Sequence, residues 1–176
     1  MLWDPRRLAP TEARVAEVDA EASGISVVVR PARRDDVAAL AAIFAADSLG
    51  GHGDTADPAA LPDYLAAFDR IAASANDRLW VAELGGEIVG TFQTTLITSL
   101  SARGATSMNV EAVQTRADMR GRGIGEAMMR FALERASEAG ARQVQLMSNN
   151  SRVAAHRFYE RLGFARSHAG FKLKLC

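Results

Sequence analysis

Arg120-Gly121-Arg122-Gly123-Ile124-Gly125 joins a strand-like run, Asn109 to Thr115, to a helix-like run, Ile124 to Ala139. Glycine lets a backbone approach a ligand closely, and the first N–H groups of a helix have no partner within it. A strand-to-helix joint of this kind reads as a seat for a polyphosphate. One helix dipole contributes only about 0.3 to 1 kcal/mol to a nearby anion, so firm binding requires several amides together with the guanidinium forks of Arg120 and Arg122. Spacing excludes two common phosphate seats. A Walker turn needs Gly-Lys-Ser/Thr, yet lysine occurs only at Lys172 and Lys174, and a G-x-G-x-x-G turn has Glu126 where its third glycine belongs. Taken alone, the segment equally fits a flexible basic turn.

At 176 residues the chain suits one domain, able to bury about 70% of its unfolded surface. Hydrophobic residues make up 48% and charged residues 24%, which argues against disorder of the whole chain. Basic and acidic residues balance at 21 each, so no global field favours nucleic acid or an acidic membrane as a partner. Cys176 is the single cysteine, and His52, His156 and His168 are scattered, so no metal site is expected. The N-terminus lacks a secretory core and no run reaches the roughly 18 apolar residues of a membrane span. A cytoplasmic protein is expected.

Residues 1–23 read as an N-terminal extension, with Thr11 to Ala22 as a tail or a short docked helix, and residues 24–176 as the main domain. Ile25 to Arg30 is β-branched and suits a first strand. Val37, Leu40, Ala41 and Phe44 recur at helical spacing, and a second helix starts near Pro62 with Tyr64, Phe68 and Ile71 as its buried stripe. Leu79 to Leu84 and Glu87 to Ile97 form a hairpin at Gly85-Gly86. Beyond the arginine-glycine segment, Ile124, Ala127, Met128 and Phe131 make a helix stripe that Gly140 ends. Gln143 to Met147 reads as a strand. Ser151 is placed to cap a helix carrying Ala155, Phe158, Tyr159 and Leu162, and Phe171 to Leu175 reads as a last strand.

Arg120-x-x-Gly123-x-Gly125 at a helix start, with His156-Arg157-Phe158-Tyr159-Glu160-Arg161-Leu162-Gly163-Phe164 some thirty residues later, resembles the GNAT superfamily of N-acetyltransferases. The resemblance covers about residues 25 to 175. It implies an α/β (α+β) fold: a strongly twisted, mixed but mostly antiparallel sheet, helices on both faces, and a notch for acetyl-CoA where a strand splays from its neighbour. It further implies that the coenzyme A pyrophosphate rests on the turn from Arg120 through Gly121, Arg122, Gly123, Ile124 and Gly125, with Glu126 just beyond. The pantetheine arm would pair like an added strand with backbone at Val113 and Thr115.

Tyr159 matches the residue that many members use to protonate the departing sulfur, and a phenol with an ordinary pKa near 10 is protonated at neutral pH. Its helical stripe also suits a core tyrosine. An amine with pKa near 10.4 is neutral in only about one molecule in 2,500 at pH 7, so a base is needed. Glu111 is the candidate, with Glu83 as a substitute. Strict alternation puts Asn109, Glu111 and Val113 on one side of the strand. Where many relatives carry a cofactor-contacting asparagine, this chain has Arg152; Asn149 is the nearby replacement, and His156 suits the helix surface. Asp47, Asp54 and Asp57 can attract a cationic amine, Tyr64, Phe68 and Trp80 can wall its pocket, and Ser167 to Lys172 can form a rim. The same residues also suit a solvated loop and core aromatics. The expected acceptor is a primary amine of a small molecule. Protein lysines or N-termini are the alternative, a coenzyme-A-binding module without turnover is a different class, and a homodimer fits the family.

Overall fold

The computed structural model describes residues 15–20, 24–47, 53–173 and 175. Its sheet has six strands in sequential order: β1 (Ala16–Ala20), β2 (Ile25–Pro31), β3 (Asp77–Leu84), β4 (Glu87–Thr98), β5 (Thr106–Thr115) and β6 (Gln143–Leu146). Neighbours are antiparallel except for β5 and β6, which run parallel. The parallel step requires a crossover, and α4 (Ile124–Glu138) supplies it. The other helices are α1 (Val37–Ala45), α2 (Leu61–Ala73), the short turn α3 (Ser101–Gly104) and α5 (Val153–Arg161). No described helix is long and apolar enough to cross a membrane.

Helix α4 lies on one sheet face because Ile124, Ala127, Met128, Phe131 and Ala132 recur along one side of it and are almost fully buried. They pack on Val27, Val29, Ala82, Val89, Phe92, Met108 and Val110. Trp80 belongs here too, edge-on to Phe131 at 4.9 Å and donating from Nε1 to Thr94 Oγ1 at 2.9 Å. An acceptor-wall role for Trp80 is thereby corrected. Helix α4 ends as expected: Gly140 is left-handed at φ 70°, and Ala141 N–H bonds Ala136 O at 2.9 Å, closing the last turn.

Three sequence expectations give way. Within the Thr11 to Ala22 stretch, Ala16–Ala20 is a strand, because pairing from Ala16↔Val29 to Ala20↔Ile25 extends the sheet and tertiary contact outweighs alanine's helix preference. Residues 11–14 and 21–22 lie outside the described residues. The α2 stripe is only half-buried. Phe171 to Leu173 are not strand, and Phe171, Leu173 and Leu175 are exposed; their alternation suits a strand, but no partner strand meets them among the described residues.

An ion cluster fixes the chain between β2 and α1. Arg30 donates to both Asp36 oxygens at 2.7 and 3.0 Å and to Glu83 Oε2 at 2.9 Å, while Arg33 N–H reaches Asp36 at 2.6 Å. This use of Glu83 argues against it as a substitute base. Burial alone would raise the Asp36 carboxyl, but the Arg30 and Arg33 bonds outweigh it and hold it below its ordinary value. Stability from Asp36 is therefore present above that value, 3.8, and is lost as pH falls through the depressed one. Removing one partner of a buried pair costs about 3 to 5 kcal/mol. Urea unfolding of Asp36→Ala at neutral pH is expected to show a loss of this order, and the loss should shrink in strong acid.

Candidate active site

Strand β5 loses one neighbour halfway along. It pairs with β4 down to Thr115↔Gly90, but with β6 only from Ser107↔Gln143 to Val110↔Leu146. Beyond Val110 no described strand covers its β6-side edge, so a notch opens between the two parallel strands. A bulge sits at the mouth: Gln93 faces Glu111 and Thr91 faces Gln114, leaving one residue on β4 against two on β5. The bulged residue, Ala112, is left-handed at φ 51°, a conformation costing an L-residue about 1 to 2 kcal/mol.

The extra residue resets the alternation. Val113 joins Met108 and Val110 against the core beneath α4, whereas Glu111 is exposed opposite Gln93. Glu111 and Val113 thus do not share a side, contrary to strict alternation. Gln114 turns toward α1 and donates from Nε2 to Asp47 Oδ2 at 2.7 Å.

After β5 the chain enters the glycine-rich turn. Gly121 and Gly123 are left-handed at φ 75° and 81°, which explains glycine at both positions. Gly123 is the N-cap of α4 and no side chain caps the helix. The first α4 amides are thus left for an outside acceptor. Arg120 and Arg122 are exposed on the turn, and Arg120 Nε donates to Thr115 O at 3.2 Å, folding the turn back onto the end of β5. A side chain at Gly125 would meet Phe158 of α5 at 3.6 Å and Thr115 Oγ1 at 3.7 Å. The end of β5, the start of α4 and α5 therefore converge on one place.

The model of the acetyltransferase (GNAT) family matches residues 37–164. The chain belongs to the GNAT acetyltransferase family. This GNAT protein is 36% identical to a solved transcriptional regulator from Bacillus halodurans C-125, with a TM-score of 0.82 over 85% of this chain and 99% of that one. Over 53 residues it is 45% identical to an aminoalkylphosphonate N-acetyltransferase of Salmonella typhimurium, a match spanning 30% of this chain and 34% of that protein. Over 107 residues it is 28% identical to N-acetyltransferase family 8 member 2 of Rattus norvegicus, spanning 58% and 45%. The matched stretches thus span less than half of either curated relative.

In this GNAT protein, α5 presents Tyr159 between Phe158 and Phe164, with ring centroids 5.1 and 5.9 Å away. The phenol makes no hydrogen bond among the described residues, and burial pushes it above its ordinary value of 10.0 against the opposing charge of Arg152. It stays a proton donor across the neutral range. Asn149 is occupied locally: its Oδ1 accepts from Ser151 N–H and Oγ, both at 3.0 Å. Asn149 rather than Ser151 thus orders the turn into α5, which has no side-chain cap. His156 Nε2 lies 3.0 Å from Asn149 O, in the same turn.

Other cofactor candidates divide by the group they present. Ile124 buries its side chain in the core and Glu126 pairs with Arg130 at 2.9 Å, so both offer an anion their backbone amides rather than their side chains. Ser148, two residues past the last β5–β6 pair, has a buried hydroxyl without a hydrogen-bond partner. Such an orphan is rare. An uncapped helix start, exposed arginines, an uncovered strand edge and this orphaned hydroxyl fit a diphosphate with an amide-bearing arm.

Acids of the first loop have local partners: Asp54 accepts from Tyr64 Oη at 3.1 Å, and Asp57 accepts from Ala59 N–H at 2.9 Å. The rim segment is exposed, with Ser167 Oγ 2.8 Å from His168 Nδ1. Sequence reasoning missed the bridge from Asp47 to Arg152 and Gln114. Arg152 in place of the family's asparagine was the available signal.

Proposed function

We propose that this chain is an acetyl-CoA-dependent N-acetyltransferase whose acceptor is a primary amine of a small molecule, with acetyl passing directly from thioester to amine in a ternary complex. The observation that carries the reading is the notch past Val110↔Leu146, adjoining the uncapped start of α4. Amides of Gly123 to Glu126 hold the pyrophosphate, aided by Arg120, Gly121 and Arg122. Backbone at Val113 and Thr115 meets the pantetheine arm, and Asn149 shapes the wall next to it. Glu111 acts as base through water, and Tyr159 protonates the leaving thiolate. The amine nitrogen bonds to the acetyl carbon as the carbon–sulfur bond breaks. The name of the aminoalkylphosphonate relative supports a small acceptor over a protein.

Residues 24–176 are assigned as the catalytic domain, with β1 of the preceding extension added at its edge. Exposed Phe171, Leu173 and Leu175 support a homodimer, and a cytoplasmic location is part of this reading. Release of free thiol from acetyl-CoA across a panel of amines and peptides tests the assignment. Turnover on small amines is expected. Turnover on peptides alone would indicate a protein acetyltransferase, and binding without turnover a non-catalytic coenzyme A module.

Glu111→Gln is expected to remove the acidic limb of the pH–rate profile, because the variant has no carboxylate to protonate. Persistence of that limb would assign the base elsewhere.

A further inference from the structure

Asp47 stands at the end of α1, Gln114 follows the β5 bulge, and Arg152 is the residue before α5. Their side chains meet on one oxygen. Asp47 Oδ2 accepts from Gln114 Nε2 and from Arg152 Nη2. The Asp47 and Arg152 side chains are only 9% and 23% exposed, so solvent screens the pair less than a surface one. One carboxylate thereby links three elements, two of which carry the strand edge and the phenol of the proposed reaction. Arg152 is the N-cap of α5, the helix that carries Tyr159; burial raises the phenol and the Arg152 charge opposes that rise, while the ring itself packs on Phe158 and Phe164.

We propose that Asp47 anchors Arg152 across the cleft, making Arg152 a positioning residue that holds α5 and its tyrosine against β5 during proton donation. The proposal rests on the acyl-transfer reading above. When the carbon–sulfur bond breaks, the thiolate takes the Tyr159 proton and leaves a phenolate. The fixed guanidinium stabilises that anion by its charge. Glu111 has taken the first proton of the ammonium through water, and the second, released as the amide forms, returns to the phenolate. Arg152 touches neither reacting atom in this scheme. Its contribution is the place and the charge it maintains, and Asp47 fixes the place.

Tyr64 and Tyr159 are the two tyrosines of the chain, so in a Tyr64→Phe background tyrosinate absorbance follows Tyr159 alone. There, Arg152→Met is expected to raise the titration midpoint, because it removes the charge that opposes burial of the phenol. Arg152→Lys, which keeps the charge, should restore most of the original value. In kinetics, Arg152→Met should lower kcat about 10²-fold, as misplacing a reacting group does, with KM for acetyl-CoA changed far less. Asp47→Asn should reproduce part of the loss and be non-additive with Arg152→Met. A folded Arg152→Met protein with an unmoved midpoint, or with unchanged kcat, would overturn the proposal. The titration needs no turnover, so an inactive wild type would refute the acyl-transfer reading separately.

Discussion

Tyr159→Phe is expected to lower turnover by about 10² to 10⁴ with acetyl-CoA affinity little changed. The substitution deletes one oxygen. Ring packing against Phe158 and Phe164 is kept, and no protein hydrogen bond among the described residues is broken, since the phenol makes none. Thermal stability should therefore stay near wild type while kcat falls. A core tyrosine with no role in chemistry would leave kcat intact. Because burial raises the phenol, the wild-type alkaline limb from loss of this proton should lie above pH 10. The variant should lack that limb. Near-normal turnover of Tyr159→Phe on a true substrate would remove the phenol from the mechanism.

The second large effect is expected at Gly123→Asp, which should abolish measurable acetyl-CoA binding in calorimetry. Gly123 is left-handed at φ 81°, so any L-residue there costs about 1 to 2 kcal/mol, a loss that a domain of this size can tolerate. Aspartate adds a negative charge where the diphosphate is to rest. Two unit charges 4 Å apart repel by about 4 kcal/mol in a partly screened protein environment, roughly a thousandfold in affinity. Gly123→Ala separates the two effects, since it carries the strain without the charge. Its binding should fall much less. Equal affinity in Gly123→Asp and wild type would place the diphosphate elsewhere.

Much of this arrangement is legible in the sequence. Gly121, Gly123 and Gly140 marked turns because positive φ selects glycine, and the Ile124 to Phe131 stripe marked α4 because burial follows helical spacing. Other features carried no local mark. Ala112 adopts a left-handed conformation without being glycine, so the bulge that separates Glu111 from Val113 was invisible to an alternation rule. Apart from Val18, strand β1 is made of residues whose own preference is not strand, and pairing with β2 defines it. Trp80 could have faced either side of the sheet until β3 and β4 were in register. Asp47 and Arg152 meet across 105 positions of sequence, a contact that only the folded sheet creates.

The most direct test is a crystal structure of the complex with acetyl-CoA. The account predicts pyrophosphate oxygens about 2.7 to 3.2 Å from main-chain nitrogens between Gly123 and Glu126, with the pantetheine arm along β5 past Val110. Acetyl-CoA bound away from that turn, or those nitrogens directed away from its phosphates, would contradict it.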